Sequence, residues 1–536
     1  MERRFLFATI LSVLILWTWS ILAPHPLPHG RNSEVSQLYG DKLVTQINVK
    51  PSVIDLARSS EPSLSPFNEK IEKMETNKLA VEFSNKGGVL KQIELKEYGA
   101  ILPVRNIAGQ EGYEALEFRS EKISDREIFY TYSGEEFFVR RSYKISADDY
   151  TIEANTEIQN KTNMSKLMEF IGQGVILDTS RLDKSAHEYS RERSLFEYVI
   201  SSESGIVRKN NAFKFSASEK KEQGGEVSWV GFRNRYFCLI VKPQYKTKSY
   251  ILNPINDSVF GINIPAEKTN IEPMGRTNFS FLIFAGPEKP DLLKQYKMGF
   301  EDIQRYYRLT LFDAIAKIIY SALNGMHRII PNWGVCILLI SIIIYFMLYP
   351  LTLRSMLSMK KMQAIQPKIA TLREKYKDNP QKLNIELLEL YKKNQINPMG
   401  GCLPMLLQTP VFIGLYQVLW RAVSLNGAHF LWIKDLSQPD RLIILPFYLP
   451  FLGNEINLLP FVMAVVMAIQ QKITSKNIVI TDPNQMTQQR MMGAIMPIFL
   501  GVVFYQFASG LTLYFTIFYA LSTFAQWKMS KMPSCG

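Results

Sequence analysis

Trp333-Gly-Val-Cys-Ile-Leu-Leu-Ile-Ser-Ile-Ile-Ile-Tyr-Phe-Met-Leu-Tyr-Pro-Leu-Thr-Leu353 contains no charged side chain. At 1.5 Å of rise per residue, a helix of this length crosses a hydrocarbon core about 30 Å thick. The stretch therefore predicts a transmembrane helix, and the rest of the chain is interpreted around it.

Further apolar runs lie on both sides of this stretch. Phe5 to Ala23 follows a basic start, which predicts an uncleaved anchor over residues 1–23 with its amino end in the cytoplasm; a cleaved signal peptide is the alternative. Towards the carboxyl end, the runs are Leu403–Trp420, Ile456–Gln471, Met491–Phe507 and Leu511–Trp527. The last two are joined by only three residues, which predicts a tight hairpin. Six spans result.

The loops between these runs set the orientation. Residues 354–401 carry ten Lys and Arg against four acids, so the positive-inside rule places this loop in the cytoplasm. The loop from Arg421 to Glu455 is poor in Lys and Arg and is predicted to be external. Both termini, including the short tail 529–536, are then cytoplasmic. Basic residues in cytoplasmic loops account for much of the net charge of +13, so the charge does not indicate nucleic-acid binding.

The segment between the first two spans has a different pattern. Residues 24–75 are rich in Pro, Ser and Asn and are predicted to form a flexible exported linker. Residues 76–300 show short alternating runs separated by turn residues, as in Leu79–Leu90, Glu136–Tyr143 and Phe279–Phe284, which is typical of an all-β sandwich. Residues 301–332 are helical and amphipathic. This helix lies on the membrane surface or packs against the β-domain; its own sequence leaves both open.

The cytoplasmic loop predicts a helical hairpin that turns at Asp378-Asn-Pro380. A solvated loop that only sets topology is the simpler interpretation. The other is a docking arm for a partner, whose contacts would be Lys360, Lys361, Lys368, Arg373, Lys375 and Lys377.

Polar residues within the spans are informative, because burying an unpaired polar group is costly. They form either interhelix hydrogen bonds or a wet indentation between helices. The predicted substrate-groove residues are Ser341, Tyr345, Gln408, Tyr416, Gln417, Thr512 and Tyr514. Four scattered cysteines and five histidines support neither a disulfide framework nor a metal site, and no cofactor or catalytic residue is predicted.

Nine short motifs, which occur in a fixed order along the chain, resemble those of a known family. They are Asn332-Trp-Gly334, Tyr349-Pro-Leu-Thr352, Gln366-Pro-Lys368, Asn397-Pro-Met-Gly-Gly-Cys-Leu-Pro404, Gln408-Thr-Pro410, Trp432-Ile-Lys-Asp-Leu436, Thr481-Asp-Pro483, Met496-Pro497 and Ser509-Gly-Leu511. Together they resemble the YidC branch of the YidC/Oxa/Alb family of membrane protein insertases. In the exported segment, Asn85-Lys-Gly-Gly88 with Glu94-Leu-Lys96, and Trp229-Val-Gly-Phe232 with Tyr236-Phe237, are similar to the first periplasmic domain of that family.

The resemblance implies a polytopic α-helical protein of the inner membrane with an exported β-supersandwich domain. Five spans, over residues 333–528, would enclose a hydrophilic groove open to the cytoplasm and to lipid. The implied function is integration and folding of membrane proteins, without enzymatic activity. The implied partners are nascent membrane proteins, the Sec translocon, membrane lipids, and the ribosome or targeting machinery at the cytoplasmic hairpin.

One position departs from the family pattern. The family usually has an arginine five residues before the proline of Tyr349-Pro-Leu, where this chain has Tyr345. We therefore expect an uncharged groove that is insensitive to acidic flanks of its substrates. A small-molecule transporter is the main alternative function. A membrane-anchored sugar-binding or epimerase-like protein is the other, with His187 and Glu188 as its candidate pair.

Overall fold

The computed structural model describes residues 68–181, 196–210, 221–256, 258–377, 379–396, 403–449, 453–476 and 483–530. These residues fall into two compact units. The first comprises the chain up to Asn234 together with Cys238–Gly286, and the second comprises Arg235–Phe237 together with the chain from Pro287 onwards. The predicted anchor 1–23, residues 24–67 of the linker 24–75 and residues 531–536 of the tail 529–536 lie outside the described residues.

The first unit is built almost entirely of antiparallel strands. They are β1 Ile71–Glu75, β2 Leu79–Ser84, β3 Val89–Leu95, β4 Ala100–Leu102, β5 Val104–Arg105, β6 Arg119–Ser124, β7 Glu127–Ser133, β8 Phe137–Ile145, β9 Thr151–Asn160, β10 Lys166–Met168, β11 Ile171–Asp178, β12 Glu197–Ser202, β13 Gly205–Asn210, β14 Lys221–Gly224, β15 Val227–Arg233, β16 Phe237–Pro243, β17 Ser249–Asn256, β18 Val259–Pro265, β19 Thr269–Ile271 and β20 Arg276–Pro287. Nine of them form one sheet in the order β13-β12-β15-β16-β20-β9-β8-β7-β6. A five-stranded sheet, β14-β17-β18-β11-β5, and a four-stranded sheet, β1-β2-β3-β4, complete the main architecture.

Side-chain alternation explains these sheets. Along β8, every second side chain from Phe137 to Ile145 is buried, as expected when one face of a strand covers a core. The β2–β3 turn contains Gly87 and Gly88, both with positive φ. A Cβ on Gly88 would lie 3.0 Å from the Cβ of Tyr130, so the turn requires glycine there for space as well as for conformation. The predicted β-rich domain is confirmed; β1, however, lies entirely within residues 24–75, the stretch predicted as linker.

The second unit is helical. Its helices are α1 Pro290–Gln295, α2 Thr310–Ile329, α3 Trp333–Ala364, α4 Gln366–Lys375, α5 Pro380–Lys393, α6 Leu403–Arg421, α7 Leu458–Lys476, α8 Pro483–Phe504 and α9 Ser509–Ser530. A two-stranded hairpin, β21 Ile443–Leu449 and β22 Gly453–Ile456, lies between α6 and α7. Buried apolar side chains from α2, α3, α6, α7 and α9 share one core, which includes Ile319, Ile337, Leu415, Met463 and Leu511.

Several helix ends have visible causes. Asn379 caps α5 by accepting a hydrogen bond from the Lys382 amide, and Pro380 occupies the first turn, where a missing N–H costs nothing. The turn between α8 and α9 spans four residues, 505–508, whereas the sequence placed a three-residue connection at 508–510. Gly510 in α9 donates to the Leu436 carbonyl at 2.9 Å, and a Cβ there would lie 3.1 Å from that oxygen.

Among the described residues, one helix is long and apolar enough to cross a bilayer by length and composition, Trp333–Ser358, with a mean hydropathy of 2.4. Shorter apolar helices cover Leu458–Thr474 and Ile495–Phe504. The six-span count therefore stays a prediction.

Candidate functional site: a polar cluster between helices

Two predicted groove residues, Ser341 and Tyr345, lie four positions apart on α3 and are both buried. The Ser341 hydroxyl donates to the Ile337 carbonyl of its own helix at 2.5 Å, which uses its only donor hydrogen and leaves its oxygen as an acceptor. Tyr345 is 4 % exposed, and its hydroxyl has no hydrogen-bond partner among the described residues. Tyr345 therefore places an unsatisfied polar atom inside the bundle.

Gln408 of α6 and Tyr514 of α9 meet directly. The Gln408 side-chain amide donates to the Tyr514 hydroxyl at 2.5 Å, while its carbonyl oxygen Oε1 is buried without a partner among the described residues. The ring of Phe518 lies 5.6 Å from the Tyr345 ring and 6.1 Å from the Tyr514 ring, measured between centroids. Tyr514 thus bonds Gln408 of α6 directly, and the ring of Phe518 links Tyr514 to Tyr345 of α3. We call Tyr345, Gln408 and Tyr514 the polar cluster.

Tyr416 and Gln417 lie elsewhere, nearer the carboxyl end of α6. Tyr416 packs against Trp420 and Phe507, with ring centroids at 6.3 and 5.6 Å. The Gln417 side-chain carbonyl accepts a hydrogen bond from Arg421 Nε at 3.1 Å. Thr512 is buried and donates to the Ala508 carbonyl of its own turn. The structure does not bring these three residues into the polar cluster.

Sequence reasoning missed a second polar contact, between α7 and α9. Gln470 donates to the Ser522 hydroxyl at 2.9 Å, and one turn further along each helix Thr474 donates to the Gln526 carbonyl oxygen at 2.7 Å. We call these two pairs the polar ladder. Its signal was present in the sequence, since two polar residues four positions apart occur on each of the two helices.

The predicted hairpin is present as α4 and α5. It has its own small core of Ile365, Ile369 and Ile396, covered by Leu387 and Leu390. Of the predicted docking residues, Lys361, Lys368, Lys375 and Lys377 are exposed and Arg373 is half-buried. Lys360 belongs to α3, but its side chain lies outside the described set.

No group of three or more His, Cys, Asp or Glu side chains suited to a metal ion occurs among the described residues. The pair His187 and Glu188 lies outside them.

Comparison with known proteins also divides the chain in two, but between residues 321 and 325 rather than after Gly286. A family model described as "60Kd inner membrane protein" matches residues 325–534, and one described as "YidC periplasmic domain" matches residues 113–321. A membrane protein insertase YidC of Pelobacter propionicus is 30% identical, over 99% of this chain and 99% of its own length. A second YidC, of Pelodictyon phaeoclathratiforme, is 28% identical over 98% of this chain and 93% of its own. A crystal structure of an active YidC insertase is 19% identical, with a TM-score of 0.39, and covers 86% of this chain and 93% of that one.

A helical core with apolar helices, preceded by a β-rich periplasmic domain, defines the class as a membrane-embedded insertase with an exported domain. The chain belongs to the YidC family of membrane protein insertases.

Proposed function

We propose that this chain integrates other proteins into the inner membrane and helps them fold there, with the polar cluster as the place where a client's polar flank is held. The observation that carries the proposal is the spare hydrogen-bonding capacity at Tyr345 and Gln408. Buried polar atoms nearly always have a partner in folded proteins. A passing polar segment, or water that accompanies it, would supply that partner.

The polar cluster needs to supply only a small part of the free energy of insertion. A client segment of about 20 apolar residues is driven into lipid by its own transfer free energy. The obstacle is the short polar flank, whose groups lose their water in hydrocarbon. Hydrogen bonds from the cluster would lower that barrier. Because Tyr345 is buried and its ring packs against Phe518, contact of a flank with the Tyr345 hydroxyl requires these rings to move.

The cluster contains no charge. No Lys, Arg, Asp or Glu lies in the apolar runs 333–353, 403–420 and 511–527, which contribute Tyr345, Gln408 and Tyr514. Arg421 follows the second run, at the carboxyl end of α6. Selection of acidic flanks by a buried cation is therefore not available here, and recognition would depend on neutral hydrogen bonds.

The test is insertion into proteoliposomes of one single-span client whose translocated flank is made acidic, neutral or basic. We expect similar yields for the acidic and neutral flanks in low and high salt. The matched variant Tyr345→Arg should introduce a preference for the acidic flank that salt weakens. A strong, salt-sensitive acidic preference in the unaltered protein would contradict the neutral mechanism.

The proposed topology has six spans, five of them in the core over residues 333–528, with both termini in the cytoplasm. The hairpin α4–α5 would then face the cytoplasm, where its exposed lysines suit acidic surfaces of the ribosome or targeting machinery. Cooperation with the Sec translocon is part of the same proposal. Charge reversal at Lys368 and Lys375 tests the role of the hairpin and should reduce delivery of ribosome-bound clients. The control is charge reversal at Lys248, an exposed residue of the first unit, which should leave delivery unchanged.

A further inference from the structure

The β21–β22 hairpin exposes apolar side chains on both of its faces. Ile443 and Ile444 are adjacent on β21 and so point in opposite directions, yet they are 51 % and 66 % exposed. Phe447 on the same strand is 57 % exposed. Residues 442–454 include no charged side chain. A two-stranded hairpin with apolar side chains on both faces is a poor structure for water, where it would be only marginally stable.

The base of this hairpin is held firmly by polar contacts. One carboxylate oxygen of Asp440 accepts hydrogen bonds from the amides of Leu458 and Leu459 at the start of α7, at 2.8 and 3.0 Å. The Asn457 side chain accepts from the Arg441 amide and donates to the Tyr505 carbonyl. The hairpin is therefore fixed at the end of α7 and beside the end of α8.

The nearest charged residues flank the hairpin. Arg441, just before β21, and Glu455 of β22 form an ion pair at 2.9 Å, and residues 442–454 between them are uncharged. Helix α7, which follows β22 in the chain, also exposes an apolar stripe, because Phe461, Val465 and Ile469 recur every four residues and are exposed. An apolar stripe of this kind on a membrane helix faces acyl chains.

We propose that the β21–β22 hairpin is a lipid anchor: its exposed side chains Ile443, Ile444 and Phe447 lie in the outer leaflet, at the boundary between headgroups and acyl chains. The exposure of Ile443 and Ile444 on opposite faces favours lipid over a protein partner, because a docked protein covers only one face. The proposal rests on the proposed orientation, in which the loop between α6 and α7 is external.

Spin-label accessibility in proteoliposomes tests the anchor. Labels are placed by Phe447→Cys and, separately, Ile444→Cys, in a background of Cys402→Ser and Cys535→Ser, because Cys238 and Cys336 are buried. Ile498→Cys on α8, 66 % exposed in the wild-type residue, is the lipid reference. Glu389→Cys on α5 is the aqueous reference. Collision of each label with oxygen and with a water-soluble nickel chelate is measured.

We expect the oxygen-to-nickel ratio at both hairpin positions to be several-fold higher than at Glu389 and close to that at Ile498. A ratio equal to that at Glu389 overturns the anchor. Immobilisation that appears only with an arrested client, or only at high protein density, also overturns it and identifies a client or a second copy instead. Client insertion measured on the same samples separates the two proposals, because a failure to insert with a lipid-like ratio counts against the proposed function alone.

Discussion

The side-chain amide of Gln408 donates a hydrogen bond to the hydroxyl of Tyr514, residues that are 106 positions apart in the chain. This contact joins α6 to α9 inside the bundle and leaves the Gln408 oxygen Oε1 without a partner among the described residues. The pair therefore both stabilises the helix packing and keeps an acceptor available, which is the combination that a transient polar binding site requires.

The first prediction concerns the energy of this contact. Gln408→Leu and Tyr514→Phe, alone and together, form a double-mutant cycle, and we expect a coupling energy of roughly 0.6 kcal/mol and at most about 1.7 kcal/mol, as for other hydrogen bonds between membrane helices. Unfolding of the full chain in mixed micelles measures it. A coupling energy of zero would show that the two residues do not depend on one another.

The polar ladder gives a second prediction. Gln470→Leu should destabilise the packing of α7 on α9 by about 1 kcal/mol, because Ser522 loses its partner. Adding Ser522→Ala should restore part of that loss, since both polar groups are then removed. Cysteine cross-linking rates between α7 and α9 report the loosening. Equal destabilisation by the single and double variants would count against a direct bond.

Asp440 carries a third prediction. Its carboxylate accepts from the Trp432 indole at 3.1 Å as well as from the first two amides of α7. Asp440→Ala leaves these donors without their acceptor, so we expect a loss of about 2 kcal/mol in stability, whereas Asp440→Asn keeps one acceptor oxygen and should lose less. Hydrogen exchange of the Leu458 and Leu459 amides is the measurement. If these two amides are as well protected in the alanine variant as in the unaltered protein, Asp440 does not stabilise the start of α7.

A fourth prediction follows from Tyr143 in the β-unit, whose hydroxyl donates to the Gly88 carbonyl at 2.8 Å. Burial raises the pKa of Tyr143 to about 12. In the unfolded chain the pKa of a tyrosine is about 10. The stability that the buried, protonated Tyr143 hydroxyl contributes is therefore complete below pH ~10 and is lost as the pH rises towards 12. Folding stability should therefore fall over that interval by about 3 kcal/mol.

Pulse proteolysis of the full chain in urea between pH 9 and 11.5 follows this loss. Tyr143→Phe should lower stability at neutral pH by about 1 kcal/mol, because the bond to Gly88 is lost, and should make the decline above pH 10 shallower. Burial also raises the pKa of Tyr130, so Tyr130→Phe is the matched comparison. A decline that Tyr143→Phe leaves unchanged would exclude Tyr143 as its source.

The elements with a clear periodicity could be predicted from the sequence. The alternation along β8 and the uncharged run of α3 can each be recognised within one short stretch of sequence, without knowledge of the rest of the fold. β1 was missed because most of its side chains are exposed and its pattern resembles that of a polar linker. Its place in the fold comes from pairing with β2, which local sequence does not encode.

The polar cluster was predictable only in part. Costly polar residues in apolar runs identified Tyr345, Gln408 and Tyr514, but the same argument also selected Thr512, which bonds within its own helix. Whether a polar side chain points towards a neighbouring helix depends on helix rotation and crossing, which follow from tertiary packing. The ladder residues Gln470 and Ser522 were overlooked for the same reason: each has a polar residue four positions further on, but the sequence does not show that these two faces meet.

Photo-crosslinking from position 518 tests the central claim most directly. A benzophenone side chain replaces Phe518, beside the polar cluster, and in a second protein it replaces Val465 on the exposed stripe of α7; each is combined with a client arrested at successive lengths. The account predicts that the client's polar flank crosslinks from position 518 and not from position 465. Crosslinks of the flank from position 465 alone, with none from position 518 at any length, would contradict it.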